Sequence, residues 1–207
     1  MKKSILIICA LCLGFNIFAQ SKIETFDENK WNWTEGVSKY SSVVIDNGQM
    51  EIKYLKINKK SSEWANIPKT FAKLPVNINE PFSVKIKIIV SKNSLYSIIF
   101  NASMDCLDEE NGNNFSSNKI LFNDNQYYIL SGINTYVTSD KLPLKIKKDF
   151  LLEILISYNG NKTSIEVNNM QIYNDNLKMT GPCLGFINMQ KTPIIVDEVE
   201  VIQNLDD

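Results

Sequence analysis

The sequence predicts an all-β protein built as a two-sheet antiparallel sandwich of the jelly-roll kind. Three observations lead to this prediction: apolar and polar residues alternate along most of the chain, helical periodicity is nearly absent, and turn signals recur at short intervals. Ile and Val are abundant, as is usual in β-strands. About ten to thirteen strands are expected, and turns at this spacing are typical of sandwiches.

Individual strands follow from this alternation. The segment FSVKIKIIV sets apolar residues against Lys85 and Lys87, and QMEIKYLKI places Met50 and Ile52 on one face. The segment FLLEILISYNGNKTSIEV is typical of two strands joined at Asn159-Gly160. A second hairpin, ILFNDNQYYIL, is expected to turn at NDN, and IDNGQM and VNNMQ add further turns.

The first twenty residues have the pattern of a secretory signal peptide. Lys2 and Lys3 are followed by an apolar run and then by Ala19, so we expect cleavage after Ala19 or Gln20. The run is too short for a spanning helix, and no later stretch is long and apolar enough to cross a membrane. Cys9 and Cys12 lack the small residues that precede a lipoprotein site, which favours free release over a lipid anchor.

Residues 21–207 are then expected to form one β-sandwich domain of an exported protein, either periplasmic or secreted. The lysine-rich, arginine-free composition looks bacterial. The net charge of −1 becomes −3 once Lys2 and Lys3 are removed, so the chain lacks the basic excess that nucleic-acid binding requires. Because the chain has no histidine, Ser-His-Asp and Cys-His mechanisms and His-ligated zinc are excluded.

Five segments occur in a recognisable order along the chain. ETFDENKWNWTEG precedes VIDNGQMEIKY, and LLEILISYNGNKTSIEVNNMQIYN, GPCLGFIN and IIVDEVEVIQ follow much later. This order resembles the concanavalin A-like lectin/glucanase superfamily, in the laminin-G-like domains of exported bacterial proteins. The resemblance covers most of residues 21–207 and implies a concanavalin A-like sandwich. Since that superfamily includes glycosidases, lectins and modules with no known ligand, the resemblance leaves the activity open.

Carboxylates decide whether the resemblance extends to catalysis. The resembling glucanases carry a strand motif E-x-D-x-x-E or E-x-D-x-E, which places nucleophile and acid at one glycosidic bond. Glu153 can stand first in such a motif, but Leu155 stands where the aspartate belongs. Glu198 and Glu200 lie two apart on the last strand, but Gln203 follows in place of a third carboxylate. We therefore assign no catalytic residue and expect Glu198 and Glu200 to be a solvated face.

Asp197 is a candidate metal ligand. Strict alternation places it on one face with Val199 and Val201, towards the core, where a carboxylate needs hydrogen-bond donors or a cation. Resembling sandwiches often hold a structural Ca²⁺ between the first and last strands, and Glu24 and Asp27 near the first strand have the oxygen ligands that calcium prefers. The alternative is that Asp197 accepts hydrogen bonds from backbone N–H groups in a turn.

Aromatic rings and the longest irregular segments are the candidates for a sugar site. Rings stack on the C–H faces of sugars, and the candidate rings are those of Trp31, Trp33, Trp64, Tyr127, Tyr128 and Tyr136. Trp64 has polar surroundings, and Asp105 and Asp108 belong to the acidic stretch 101–118; long loops of this kind are usually functional. The predicted ligand set is Trp64, Asp105, Asp108 and Tyr127. The alternative is that these tryptophans are core residues and the acidic side chains are only solvated.

Two cysteines, Cys106 and Cys183, remain after signal cleavage. An even number in an exported chain indicates a disulfide, and the alternative is two buried thiols. Taken together, the sequence predicts an exported, non-catalytic module that binds carbohydrate or another cell-envelope partner, with no cofactor other than the calcium ion. The alternatives are a divergent glycoside hydrolase that uses cleft carboxylates and a purely structural envelope protein.

Overall fold

The computed structural model describes residues 20–56, 66–102, 117–132, 135–177 and 181–203. Within these residues the chain forms fifteen β-strands in two antiparallel sheets and no α-helix, which confirms the predicted all-β sandwich. The strand number exceeds the expected range of about ten to thirteen. No helix in this part of the chain is long and apolar enough to span a membrane.

The strands divide into a nine-stranded and a six-stranded sheet. The nine-stranded sheet contains β1 (Gln20–Glu24), β2 (Gly36–Val37), β3 (Ser41–Asp46), β4 (Gln49–Tyr54), β6 (Phe82–Val90), β11 (Phe150–Tyr158), β12 (Thr163–Val167), β13 (Met170–Asp175) and β15 (Ile194–Gln203). The six-stranded sheet contains β5 (Lys69–Lys73), β7 (Leu95–Ala102), β8 (Asn118–Asn123), β9 (Gln126–Ser131), β10 (Thr135–Lys141) and β14 (Cys183–Asn188). Their orders are β13-β12-β11-β6-β15-β4-β3-β2 and β10-β9-β8-β7-β14-β5, and β1 pairs with β15.

Local turn chemistry explains the hairpins. Asn47-Gly48 and Asn168-Asn169 each have positive φ at both positions and close two-residue loops, as type I′ turns require. Asp124-Asn125 closes the β8–β9 hairpin, and Asp124 has a φ of 54°. The four residues Asn159–Lys162 join β11 to β12, with Gly160 at a φ of 90°. These are the turns that the sequence predicted.

The core lies between the two sheets and is built from alternate residues of each strand. In β6, Phe82, Val84, Ile86 and their alternate successors are buried, while the residues between them face outward. Tyr96 and Ile98 of β7 face them from the six-stranded sheet. Each such apolar side chain contributes about 1.5–3 kcal/mol when it is fully buried, which holds the sheets face to face.

A β-bulge interrupts alternation in β15. One edge of β15 pairs with β4 up to Val196 and with β1 from Val199 onward, and the register shifts between Val196 and Glu198. Val196 and Val199 are both buried although they lie three residues apart, because the extra residue of the bulge resets the faces. Asp197 occupies the bulge and is half-buried. The prediction that it points into the core, which assumed strict alternation, is therefore wrong.

A second, smaller apolar cluster lies on the outer side of the six-stranded sheet. It consists of Phe71, Ile99, Cys183 and Ile187. The ring of Phe71 lies directly over Gly185, where an added Cβ would be 2.2 Å from ring atom Cδ1. Glycine therefore leaves the space on β14 that the Phe71 ring occupies.

Candidate functional site

An open groove of about 440 Å³ lies on the outer face of the nine-stranded sheet, and we call it the outer groove. Its volume falls within the range of about 300–1,000 Å³ that is typical of small-molecule sites. Its walls come from the start of β6, the end of β15, and the β11–β12–β13 segment.

The floor of the outer groove is a row of side chains that crosses neighbouring strands. Ser83 of β6 lies opposite Ser157 of β11, Ser157 lies opposite Ser164 of β12, and Ser164 lies opposite Asn174 of β13. On its other side Ser83 lies opposite Ile202 of β15. Adjacent strands are about 4.7–4.9 Å apart, so the four polar residues form a strip about 15 Å long. An extended ligand that crosses the strands would meet one polar side chain per strand.

Two of the serines are linked to each other. The Ser83 hydroxyl donates to Ser157 Oγ at 2.8 Å, which leaves the Ser157 hydroxyl proton available to a ligand. Tyr158 stands at the side of the row, and its hydroxyl donates to the carbonyl of Gly160 at 2.8 Å. Its ring lies 5.9 Å from that of Phe82 and is therefore held in place at the wall of the groove.

A second β-bulge brings two amides to the same side of β13. Gln171 and Asn174 lie three residues apart, so regular alternation would send them to opposite faces. The register of β13 shifts at Ile172, which places both amides along the outer groove. The carbonyl of Ile172 accepts a hydrogen bond of 3.1 Å from the hydroxyl of Tyr127, which reaches it from β9 in the opposite sheet. A core tyrosine thus fixes the bulge.

Four polar side chains of the outer groove are uncommitted. Within the described residues, Lys162, Ser164, Gln171 and Asn174 make no side-chain hydrogen bond or ion pair. By contrast, both polar atoms of the Gln203 amide are used by the backbone of residue 77. The groove therefore offers one ammonium, one hydroxyl and two amides that no group in the described part of the chain satisfies.

The predicted ligand residues lie elsewhere. Trp64, Asp105 and Asp108 are outside the described residues, so their role stays a prediction. Tyr127 is 6% exposed and packs in the core, so its ring cannot serve as a stacking platform. Its chain neighbour Tyr128 points outward from the sheet, and the Tyr128 hydroxyl donates to Gln126 Oε1 at 3.0 Å.

The described residues next to segments 57–65 and 103–116 show at which end of the six-stranded sheet each segment is attached. Lys69, where β5 begins, lies opposite Ile187, while Ala102, where β7 ends, lies opposite Cys183. Ile187 and Cys183 mark opposite ends of β14. The chain therefore enters this sheet after residues 57–65 at one end and leaves it before residues 103–116 at the opposite end.

The carboxylates of the last strand are engaged on the outer face of the nine-stranded sheet. Glu198 forms an ion pair with Lys87 at 2.9 Å, and this hydrogen bond raises the pKa of Lys87. Glu200 accepts a hydrogen bond from the hydroxyl of Ser21. Glu198 and Glu200 do not line the outer groove.

The three predicted metal ligands each have other partners. Glu24 is fully buried and accepts the backbone N–H groups of Phe26 (3.2 Å) and Trp31 (2.9 Å). Asp27 accepts the hydroxyl of Thr25, and Asp197 accepts the side-chain amide of Gln49, both at 2.8 Å. In the described part of the chain no three Asp, Glu, His or Cys side chains form a group that could hold a metal ion. Calcium binding stays a prediction.

Cys183 is disulfide-bonded in the structure. Every other cysteine of the chain, including Cys106, lies outside the described residues. The pairing of Cys106 with Cys183 therefore stays a prediction.

Comparison with known proteins gives information on the fold. No protein-family model matches the sequence, and no curated protein matches it. Among solved structures, a Bacillus subtilis protein of unknown function with a galectin-like fold has a TM-score of 0.64 at 11% identity, covering 92% of this chain and 100% of that one. The endo-β-1,3-glucanase of Pyrococcus furiosus has a TM-score of 0.59 at 12% identity, covering 90% and 94%. The β-glucanase of Bacillus licheniformis has a TM-score of 0.58 at 10% identity, covering 89% and 98%.

These structures share the two-sheet architecture found here at identities of 10–12%, which is a likeness of fold and not of activity. The resemblance that the order of sequence segments indicated is confirmed at the level of the fold. The protein is a jelly-roll sandwich with the concanavalin A-like lectin/glucanase fold.

Proposed function

We propose that this protein is an exported, non-catalytic module that binds carbohydrate in the outer groove. The observation that carries the proposal is the polar row Ser83–Ser157–Ser164–Asn174, which crosses four adjacent strands and is flanked by the uncommitted amide of Gln171. The solved structures with the same fold include a galectin-like protein and glucanases, which supports a carbohydrate ligand. Export rests on the signal-peptide pattern of the first twenty residues.

The chemistry of the groove suits sugar hydroxyls. Hydroxyl and amide groups both donate and accept hydrogen bonds, so they can pair with sugar hydroxyls in either direction. Ile202 and the ring of Tyr158 supply apolar surface for the C–H faces of a sugar ring. Because the groove is open and sugar hydroxyls must shed water on binding, we expect modest affinity.

No carboxylate belongs to the described lining of the groove, which argues against glycoside hydrolysis there. Hydrolysis normally requires two carboxyl groups about 5–10 Å apart across the scissile bond. A smaller hollow of about 230 Å³ beside β2 contains Glu35, but that carboxylate accepts hydrogen bonds from the backbone of Ile45 (2.9 Å) and the amide of Asn29 (3.3 Å). Neither hollow presents a carboxylate pair among its described lining residues.

The test is a glycan array with residues 21–207, followed by titration calorimetry of the best oligosaccharide. The double variant Gln171→Ala/Asn174→Ala should weaken binding at least tenfold, about 1.4 kcal/mol, while the melting temperature stays within about 2 °C. Gln190→Ala is the matched control, because its amide lies in the β14–β15 connection away from the groove. Wild-type affinity in the double variant would show that the oligosaccharide does not bind in the outer groove.

Catalysis is tested separately. We expect no release of reducing sugar from soluble β-glucans, whatever the outcome of the binding experiment. Release that is lost in Glu198→Gln or Glu200→Gln would replace the non-catalytic proposal with a glycoside hydrolase.

A further inference from the structure

We propose that the outer groove selects glycans that carry an anionic group, a uronic carboxylate or a sulfate ester, and that Lys162 supplies the counter-charge. This proposal rests on carbohydrate binding at the same groove and specifies its ligand class. Among the described residues of the groove lining, Lys162 is the charged one, and none is an aspartate or glutamate. The described lining therefore carries a positive charge in a chain whose net charge is negative.

Within the described part of the chain, no acidic side chain forms an ion pair with Lys162. The ion pairs among the described residues join Lys53 to Glu51, Lys85 to Glu153, Lys87 to Glu198 and Lys148 to Asp149. On the same outer face, Glu153 and Glu198 are thus already paired with lysines. An anionic ligand group would be the partner that Lys162 lacks within the described residues.

The backbone at Lys162 is fixed by its turn. The side-chain carbonyl of Asn159 accepts the N–H groups of Asn161 (3.1 Å) and Lys162 (2.9 Å), and the carbonyl of Lys162 accepts the N–H of Asn159 at 3.2 Å. Gly160 at a φ of 90° permits this geometry. The ammonium therefore extends from an ordered attachment point, which reduces the conformational entropy lost when it pairs.

Groups next to Lys162 complete an anion site and determine which end of the groove the anionic group of the glycan occupies. Ser164 and Asn174 stand next to the turn and can donate an O–H and an N–H to carboxylate or sulfate oxygens, which makes charge-assisted hydrogen bonds. Glu166 lies on the same face of β12, four residues or about 13 Å along the strand from Lys162, and outside the groove lining. We therefore place the anionic group at the turn end of the groove, with the neutral part of the glycan across Ser157 and Ser83.

The experiment compares oligosaccharides that differ only in charge. Titration calorimetry would use trigalacturonic acid against its methyl ester, and a sulfated carrageenan tetrasaccharide against its desulfated form. The wild-type protein should bind at least one anionic member tenfold more tightly than its neutral counterpart, and the preference should shrink in 0.5 M NaCl, where the Debye length falls to a few ångströms. The member that binds decides between carboxylate and sulfate.

Three variants test whether Lys162 causes the preference for the anionic sugar. Lys162→Gln should reduce affinity for the anionic sugar to that of the neutral one, Lys162→Arg should retain the preference, and Lys145→Gln, an exposed lysine outside the groove, should change nothing. Equal binding of charged and neutral sugars, or a preference that survives in Lys162→Gln, would overturn this inference and leave carbohydrate binding intact. Failure of every sugar on the array and in these titrations to bind would overturn both.

Discussion

At the residue scale, the buried carboxylate of Glu24 organises the loop that follows β1. It accepts two backbone N–H groups, from Phe26 and Trp31, and both Phe26 (φ 59°) and Asn32 (φ 55°) have left-handed backbone conformations. Such conformations are unfavourable for residues other than glycine. The charge-assisted hydrogen bonds of the Glu24 carboxylate offset this cost in the loop.

We predict that Glu24→Gln destabilises the protein by about 1.5–3 kcal/mol, because an amide replaces one acceptor oxygen with a donor facing a backbone N–H. Urea denaturation measures the change. Glu28→Gln is the control, since Glu28 is exposed in the same loop and should stay within about 0.5 kcal/mol of wild type. Equal stability of both variants would show that the loop does not depend on Glu24.

Tyr96 is a second residue-scale case, because its hydroxyl is buried with no hydrogen-bond partner among the described residues. Its ring stacks on Phe122 at 4.9 Å, which Phe at position 96 would preserve. Tyr96→Phe should therefore stabilise the protein by about 1 kcal/mol at pH 7 by removing an unsatisfied polar group.

The same variant should change how the free energy of unfolding depends on pH in alkaline solution. Burial raises the pKa of Tyr96 well above its usual value, so the folded chain keeps this proton where the unfolded chain loses it. The contribution of protonated Tyr96 to the free energy of unfolding is fully present below about pH 10. It is lost as the pH rises beyond that value, at up to about 1.4 kcal/mol per pH unit. Tyr96→Phe should reduce that loss, as measured by urea denaturation at pH 9, 10 and 11; an unchanged slope would mean that Tyr96 ionises normally.

At the element scale, hairpins are predictable from sequence and bulges are not. Asn-Gly and Asn-Asn pairs adopt positive φ through local sterics, so IDNGQM and VNNMQ indicate their turns without reference to the rest of the chain. The bulges at Asp197 and Ile172 are set by partners in other strands, Gln49 and Tyr127. Alternation alone therefore misplaced Asp197 and could not show that Gln171 and Asn174 share a face.

The Tyr127–Ile172 hydrogen bond yields an element-scale prediction. Tyr127→Phe should relax the bulge in β13 and weaken oligosaccharide binding at the outer groove several-fold, while costing only about 0.5–1.5 kcal/mol of stability. NMR signals of the Gln171 and Asn174 side-chain amides report the rearrangement without a ligand. Tyr128→Phe is the matched control, because its hydroxyl bonds Gln126 on the outer face of the other sheet. Unshifted amide signals in Tyr127→Phe would show that the bulge holds without this bond.

At the scale of the whole molecule, the outer groove illustrates why a site can be invisible in a sequence whose fold class is clear. Ser83, Ser157, Ser164 and Asn174 each occupy an ordinary outward position of a strand. Their alignment depends on the strand order β6-β11-β12-β13, which joins segments almost a hundred residues apart. Alternation predicts which residues face outward, but only the sheet register shows that these four form one row.

The disulfide at Cys183 is a constraint on the whole chain. Its sulfur lies in the outer cluster with Phe71, Ile99 and Ile187, at the start of β14. An even number of cysteines indicates a disulfide only if the protein reaches an oxidising compartment. Two free thiols were therefore the alternative prediction from the sequence. If the partner is Cys106, the bridge closes a loop that includes β8 to β13, and such a long loop restricts the unfolded chain strongly.

We predict that reduction of residues 21–207 with dithiothreitol lowers the free energy of unfolding by about 2–4 kcal/mol. Cys106→Ala and the double variant Cys106→Ala/Cys183→Ala should both lose this amount and become insensitive to the reductant. The double variant should lose slightly more, because Cys183 is 1% exposed and its sulfur also packs in the outer cluster. Peptide mapping of the unreduced protein identifies the partner. Two titratable thiols in the denatured, unreduced protein would exclude the bridge.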